Sequence, residues 1–67
     1  MGFYTNGSKM VEAYQTNERI EVETQNGLEI AEPKDYVVIG VYGEQYVYKP
    51  EKFENDYKIV KEEPRGV

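Results

Sequence analysis

The amino-acid pattern predicts a β-rich α+β fold: a small, strongly curved antiparallel sheet of four or five short strands, carrying one short C-terminal helix. Three observations predict it. Ile20, Val22 and Thr24 alternate with Glu21 and Glu23, and Leu28 and Ile30 alternate with Glu29, the period of half-buried strands. Tyr36 to Val41 is a near-continuous apolar run, as expected of a central strand. After Lys49-Pro50, Phe53 and Tyr57 stand four residues apart, so a short helix would turn both toward the sheet.

Taken in order, residues 1–9 read as a loose arm holding the turn-prone Asn6-Gly7-Ser8, residues 10–60 as the single domain, and residues 61–67 as a polar tail. Met10 to Gln15 alternates as a strand and ends at a turn, Thr16-Asn17-Glu18. The next pair of strands flanks Asn26-Gly27. A two-residue Asn-Gly turn would set Gln25 opposite Leu28 and Glu23 opposite Ile30, which mixes charge into the apolar row. A three-residue loop, Gln25-Asn26-Gly27, instead sets Thr24 opposite Leu28 and Val22 opposite Ile30, with Gly27 at positive φ. The three-residue loop is the expectation. It places Glu23 opposite Glu29 on the outer face with Glu21 beside them, and like charges so placed are destabilising.

Glu32-Pro33-Lys34-Asp35 reads as a turn with Pro33 pre-set for its second position. Asp35 there serves to accept hydrogen bonds from nearby backbone N–H groups. Gly40 and Gly43 frame a second hairpin; a turn centred on Tyr42-Gly43 would pair Ile39 with Tyr46 and Val37 with Tyr48. Tyr42 is poorly suited to positive φ, which weighs against that register. Pro50 opens a helix to Tyr57, with Phe53 packed near Val37 or Ile39, and Lys58-Ile59-Val60 adds a last strand.

The chain has 67 residues, enough for one domain with a thin stability margin. Such scaffolds usually gain support from disulfides, a metal or a partner chain. Cys and His are both absent, which removes disulfides and leaves only carboxylates as metal ligands, so no cofactor is expected and a partner chain, a second copy in a homodimer among them, is the open route. Thirteen acidic residues against eight basic ones give a net charge of −5, which argues against direct binding of nucleic acid and toward a basic partner. Seven tyrosines supply rings with polar tips, suited to a contact surface as much as to a core. No apolar run approaches the roughly 18 residues of a membrane span, and the first residues lack a signal-peptide pattern. The expected location is the cytoplasm, away from membranes.

Candidate chemistry is sparse. Gly40-x-x-Gly43 lacks the glycines and the Lys-Ser/Thr of a phosphate loop, and the acids fall on strand faces without His or Cys. An enzyme is not expected. Glu21, Glu23 and Glu29, flanked by Tyr14 and Tyr42 and extended by Glu12 or Glu18, form the candidate partner-binding surface. Gly27, Pro33, Asp35, Gly40, Gly43, Pro50, Phe53 and Tyr57 are assigned structural roles.

The run Pro33-Lys34-Asp35-Tyr36-Val37-Val38-Ile39-Gly40-Val41-Tyr42-Gly43-Glu44, followed by Tyr46, Lys49-Pro50, Phe53 and Tyr57, resembles a family of small phage and prophage proteins. That family's hallmark is Pro-Gly-Asp-Tyr, then Gly-Val-x-Gly-Glu-x-Tyr, then Lys-Pro-x-x-Phe-x-x-x-Tyr. The likeness extends from Met10-Val11-Glu12-Ala13-Tyr14-Gln15 through Thr24-Gln25-Asn26-Gly27 to about Val60. Lys34 stands where the family carries Gly, which implies no positive φ there unless the turn is strained; Tyr48 stands where many members carry Cys. The resemblance implies a phage origin and a β-rich fold, and brings no assigned activity. Together with the acidic face it frames three expectations. The first is a non-enzymatic binding protein in the cytoplasm of a bacterial host, inhibiting a host antiviral defence protein. The others are a virion assembly component and a small-molecule-sequestering oligomer.

Overall fold

The computed structural model describes residues 1–62. Seven strands and one helix follow one another: β1 (Gly2–Thr5), β2 (Met10–Gln15), β3 (Ile20–Thr24), β4 (Gly27–Ala31), β5 (Tyr36–Ile39), β6 (Gln45–Tyr48), α1 (Pro50–Asp56) and β7 (Lys58–Glu62). The fold is β-rich α+β, as the alternation and the Pro50 signal imply. Five strands form one antiparallel sheet in the order β6-β5-β2-β1-β7, and β3-β4 form a separate two-stranded ribbon.

The helix and the ribbon cover opposite faces of the sheet, because side chains alternate across β5. Tyr36 and Val38 pack with Ala13, Phe53 and Tyr57, whereas Val37 packs with Val22 and Ala31 of the ribbon. Burial on both faces explains why β5 carries no polar residue. Phe53 is wholly enclosed, stacked on Tyr36 at 4.3 Å between ring centroids and on Tyr57 at 4.9 Å. Its neighbours are thus Tyr36 and Val38, one residue out of phase with the expected Val37 or Ile39.

Several expectations are corrected. Residues 1–9 are not a loose arm: β1 lies inside the sheet, hydrogen-bonded to both β2 and β7. Phe3, Tyr4 and Thr5 favour extended backbone, and Tyr4 packs beside Phe53 at 4.9 Å. The central strand is β2 and not the run starting at Tyr36. Of the expected polar tail, residues 61 and 62 continue β7, and residues 63–67 lie outside the described residues.

Both hairpin registers also differ. In the ribbon Thr24 pairs with Gly27, Glu23 with Leu28, Val22 with Glu29 and Glu21 with Ile30, so the turn holds only Gln25 and Asn26. Turn chemistry decides this. The Thr24 hydroxyl donates to the Gly27 carbonyl at 2.8 Å and accepts from the Asn26 N–H at 3.1 Å, while Gly27 takes the positive φ of 102° expected of it. In the second hairpin Ile39 pairs with Gln45 and Val38 with Tyr46. There the Gly40 N–H donates to the Glu44 carbonyl and the Gly43 N–H to the Gly40 carbonyl. Gly43, at φ 84°, takes the left-handed position and spares Tyr42 from it.

Candidate functional site

Most of the residues that carry the family resemblance serve turns and core, while Val41 and Tyr42 stand exposed. Pro33 and Lys34 occupy the centre of a turn closed by the Asp35 N–H donating to the Glu32 carbonyl at 2.9 Å. Lys34 holds φ 81°, where glycine is favoured. Three bonds keep it there: its N–H donates to the Thr16 carbonyl, its carbonyl accepts from the Gln15 amide, and its ammonium reaches Asn17. The turn at this site is therefore strained. The Asp35 carboxylate is enclosed; it accepts from the Glu32 N–H at 2.9 Å and from the Lys49 ammonium at 3.1 Å. That is the structural role assigned to Asp35, with Lys49 as its unforeseen counter-ion.

Gly40, Glu44 and Tyr46 form a second structural unit. A Cβ on Gly40 would overlap the Glu44 carboxylate, which folds back over the loop. That carboxylate accepts from the Tyr42 N–H at 3.0 Å and from the Tyr46 hydroxyl at 3.2 Å; desolvation first, then the hydrogen bond to Glu44 and its charge, hold the Tyr46 phenol above its ordinary pKa. In Tyr36, burial first and the hydroxyl's bond to Glu54 second push the phenol up to about 12. Each of these groups stabilises loop or core geometry. Among the described residues no group of three or more acidic side chains is placed to hold a metal ion.

The five residues expected to share one partner-binding surface occupy four places. Glu21 and Glu23 lie exposed on the outer face of the ribbon. Glu29 points the other way, opposite Val22, into a recess of about 270 Å³ between the ribbon and β6; its carboxylate lies 3.4 Å from the Thr24 hydroxyl. Tyr14 is beneath the ribbon, packed against the Val22–Ala31–Val37 cluster. Tyr42 stands 92% exposed at the tip of the β5–β6 loop. The like-charge pair of Glu23 and Glu29 does not form, because the two-residue turn shifts β4 by one position and reverses every side chain on it.

That reversal creates a surface the alternation pattern did not foretell. Leu28 and Ile30 face solvent, 67% and 40% exposed, while Glu29 and Ala31 face inward. Full burial of a large aliphatic side chain is worth roughly 1.5–3 kcal/mol, so the chosen register forfeits much of that twice. On the outer face Leu28 sits across from Glu23 and Ile30 across from Glu21. The result is an acidic column on β3 beside an apolar column on β4. The discoverable signal was Thr24, whose hydroxyl can close a two-residue turn.

A second feature is an open groove of about 710 Å³, lined by Met10, Val11, Ile39, Val41, Tyr46 and Tyr57 among others. Its polar rim is mixed, with Lys9, Glu12 and the already engaged Glu44. No helix among the described residues is long and apolar enough to cross a membrane. No family model matches this chain, and no curated protein or solved structure shows significant similarity to it.

Proposed function

We propose that this chain is a small, non-enzymatic binding protein of phage or prophage origin, acting in the bacterial cytoplasm on a host protein, most specifically as an inhibitor of an antiviral defence protein. One observation carries the reading. The residues of the phage-type signature (Pro33, Asp35, Tyr36, Gly40, Gly43, Glu44, Lys49, Phe53 and Tyr57) spend their side chains or backbone freedom on turns and core, so the chain is a scaffold whose activity falls to its exposed surface. The net charge of −5 favours a basic protein partner over nucleic acid. The test is affinity capture from bacterial lysate, followed by reconstitution with the purified captured protein. Stoichiometric binding that suppresses that protein's activity is the expected result. A chain that captures nothing specific, or whose partner keeps full activity when saturated, overturns the reading.

The apolar groove favours a second reading, sequestration of a small apolar molecule, since its volume lies within the usual range of roughly 300–1,000 Å³ for ligand sites. Extraction and mass spectrometry of protein purified from phage-infected cells tests it: a single co-purifying compound supports it, and a clean extract excludes it.

A further inference from the structure

The outer face of the β3–β4 ribbon breaks the rule that an alternating strand hides its large aliphatic side chains. Leu28 and Ile30 are held out in one column, and Glu21 and Glu23 in the adjacent one. Among the described residues neither glutamate's side chain makes a hydrogen bond or ion pair, whereas Glu32, Asp35 and Asp56 each have a basic partner. Two free carboxylates beside two exposed aliphatics match a partner surface that offers cations and apolar groups in parallel rows. The row spacing suits a helix. Side chains two apart on a strand lie about 6.4–6.8 Å from one another along it. Side chains four apart on a helix are offset by about 6 Å, with the i+3, i+7 row next to the i, i+4 row.

We propose that this face is a docking site for a basic amphipathic helix of a protein partner, with Arg or Lys at i and i+4 meeting Glu21 and Glu23, and large apolar residues at i+3 and i+7 covering Leu28 and Ile30. The proposal rests on the binding-protein reading and names the partner's chemistry. Charge steers the approach, so association is fastest at low salt, and the aliphatic contact slows release.

The probe is a synthetic Ala-based helical peptide of about 18 residues, long enough to hold helix in water, bearing Arg at i, i+4 and Leu at i+3, i+7. Titration into isotopically labelled protein should shift amides of residues 20–31 and leave those around Met10 and Val41 unmoved. E21Q/E23Q and L28S/I30S should each weaken binding at least tenfold, with amide spectra showing that both variants keep the fold. The matching peptide with Glu in place of Arg should not bind. Shifts centred on the Met10–Val41 groove, binding indifferent to either double variant, or no saturable binding would overturn the proposal. Host-protein capture that survives the combined four-site variant would also overturn this surface while leaving the binding-protein reading intact. Failure of the wild-type chain to capture any host protein would overturn that reading separately.

Discussion

Leu28 stands directly across the ribbon from Glu23, on the solvent side of a strand whose inner side holds Glu29 and Ala31. This pairing separates the observed register from one shifted by a residue, and a single substitution reports on it. Leu28→Lys places an ammonium opposite the Glu23 carboxylate, an exposed cross-strand pair worth about 0.2–1 kcal/mol. Urea unfolding should therefore show stability unchanged or raised by that amount. A loss of several kcal/mol would mean that Leu28 is buried beside Thr24 and that the ribbon is shifted.

Lys34 and Gly27 hold similar backbone conformations at φ 81° and 102°, with opposite consequences for substitution. A left-handed non-glycine residue costs roughly 1–2 kcal/mol, only partly offset by the extra unfolded-state entropy of glycine. Lys34→Gly should stabilise the domain by about 0.5–1 kcal/mol, the exposed contact to Asn17 being worth little. Gly27→Val should destabilise by more than about 1 kcal/mol, since a β-branched side chain fits positive φ poorly although nothing crowds it. Thermal melts of the two variants should thus move in opposite directions.

How much of this was legible in the residues depends on which interaction decided each feature. Alternation located β2, β3 and β4, and Pro50 with Phe53 and Tyr57 located the helix; burial of one face accounts for this in β3 and the helix, while β4 keeps the period with its aliphatic row turned outward. Burial did not set the ribbon's register; its two-residue turn is closed by the Thr24 hydroxyl, which bonds the Gly27 carbonyl and the Asn26 N–H. The acidic cluster therefore dissolved, and Glu29 went inward. β1 was missed because Asn6-Gly7-Ser8 read as looseness. In the fold Asn6 closes a tight hairpin, its side-chain oxygen accepting from the Ser8 and Lys9 N–H groups. The Asp35–Lys49 bridge joins residues fourteen apart across the whole β5–β6 hairpin, a separation that no local pattern reveals.

That bridge is asymmetric. Asp35 is 2% exposed, whereas the Lys49 side chain is largely in solvent. Lys49→Met would leave an enclosed carboxylate with only the Glu32 N–H, and stranding a buried charge costs about 3–5 kcal/mol. Asp35→Asn keeps an acceptor for that N–H and frees Lys49 to water, at a cost of about 1–2 kcal/mol. Chemical denaturation should rank the variants in that order, and the reverse ranking would show that the ammonium, not the carboxylate, is the enclosed partner.

Phe53 is the strongest single determinant of the core. It stacks on Tyr36 and Tyr57, meets Tyr4 and Tyr48 edge-on, and is wholly enclosed. Phe53→Ala should cost about 3–5 kcal/mol. Domains hold roughly 0.05–0.15 kcal/mol per residue, so that loss approaches the whole stability of this one. A soluble Phe53→Ala protein with a sharp melting transition would place the core elsewhere.

The same aromatic cluster sets an alkaline limit. The Tyr36 phenol is raised to about 12 in the folded protein, against an ordinary value near 10 in the unfolded chain. Between those values the unfolded chain has released the proton and the folded one retains it, so fewer protons are bound on unfolding and stability falls as pH rises. Below about pH 10 both states keep the proton and the contribution is fully present. Above about 12 both have lost it, and the folded state must hold a phenolate beside the Glu54 carboxylate. Tyr36→Phe removes the titrating group and the 2.8 Å bond to Glu54 while keeping the ring stacked on Phe53. The variant should be less stable than wild type near neutrality, and the difference should shrink steadily from pH 10 to 12. The two proteins differ only in the Tyr36 hydroxyl, so the difference between the two curves isolates it. A gap that stays constant across that window would mean that the Tyr36 hydroxyl titrates alike in both states, and that its bond to Glu54 is broken in solution.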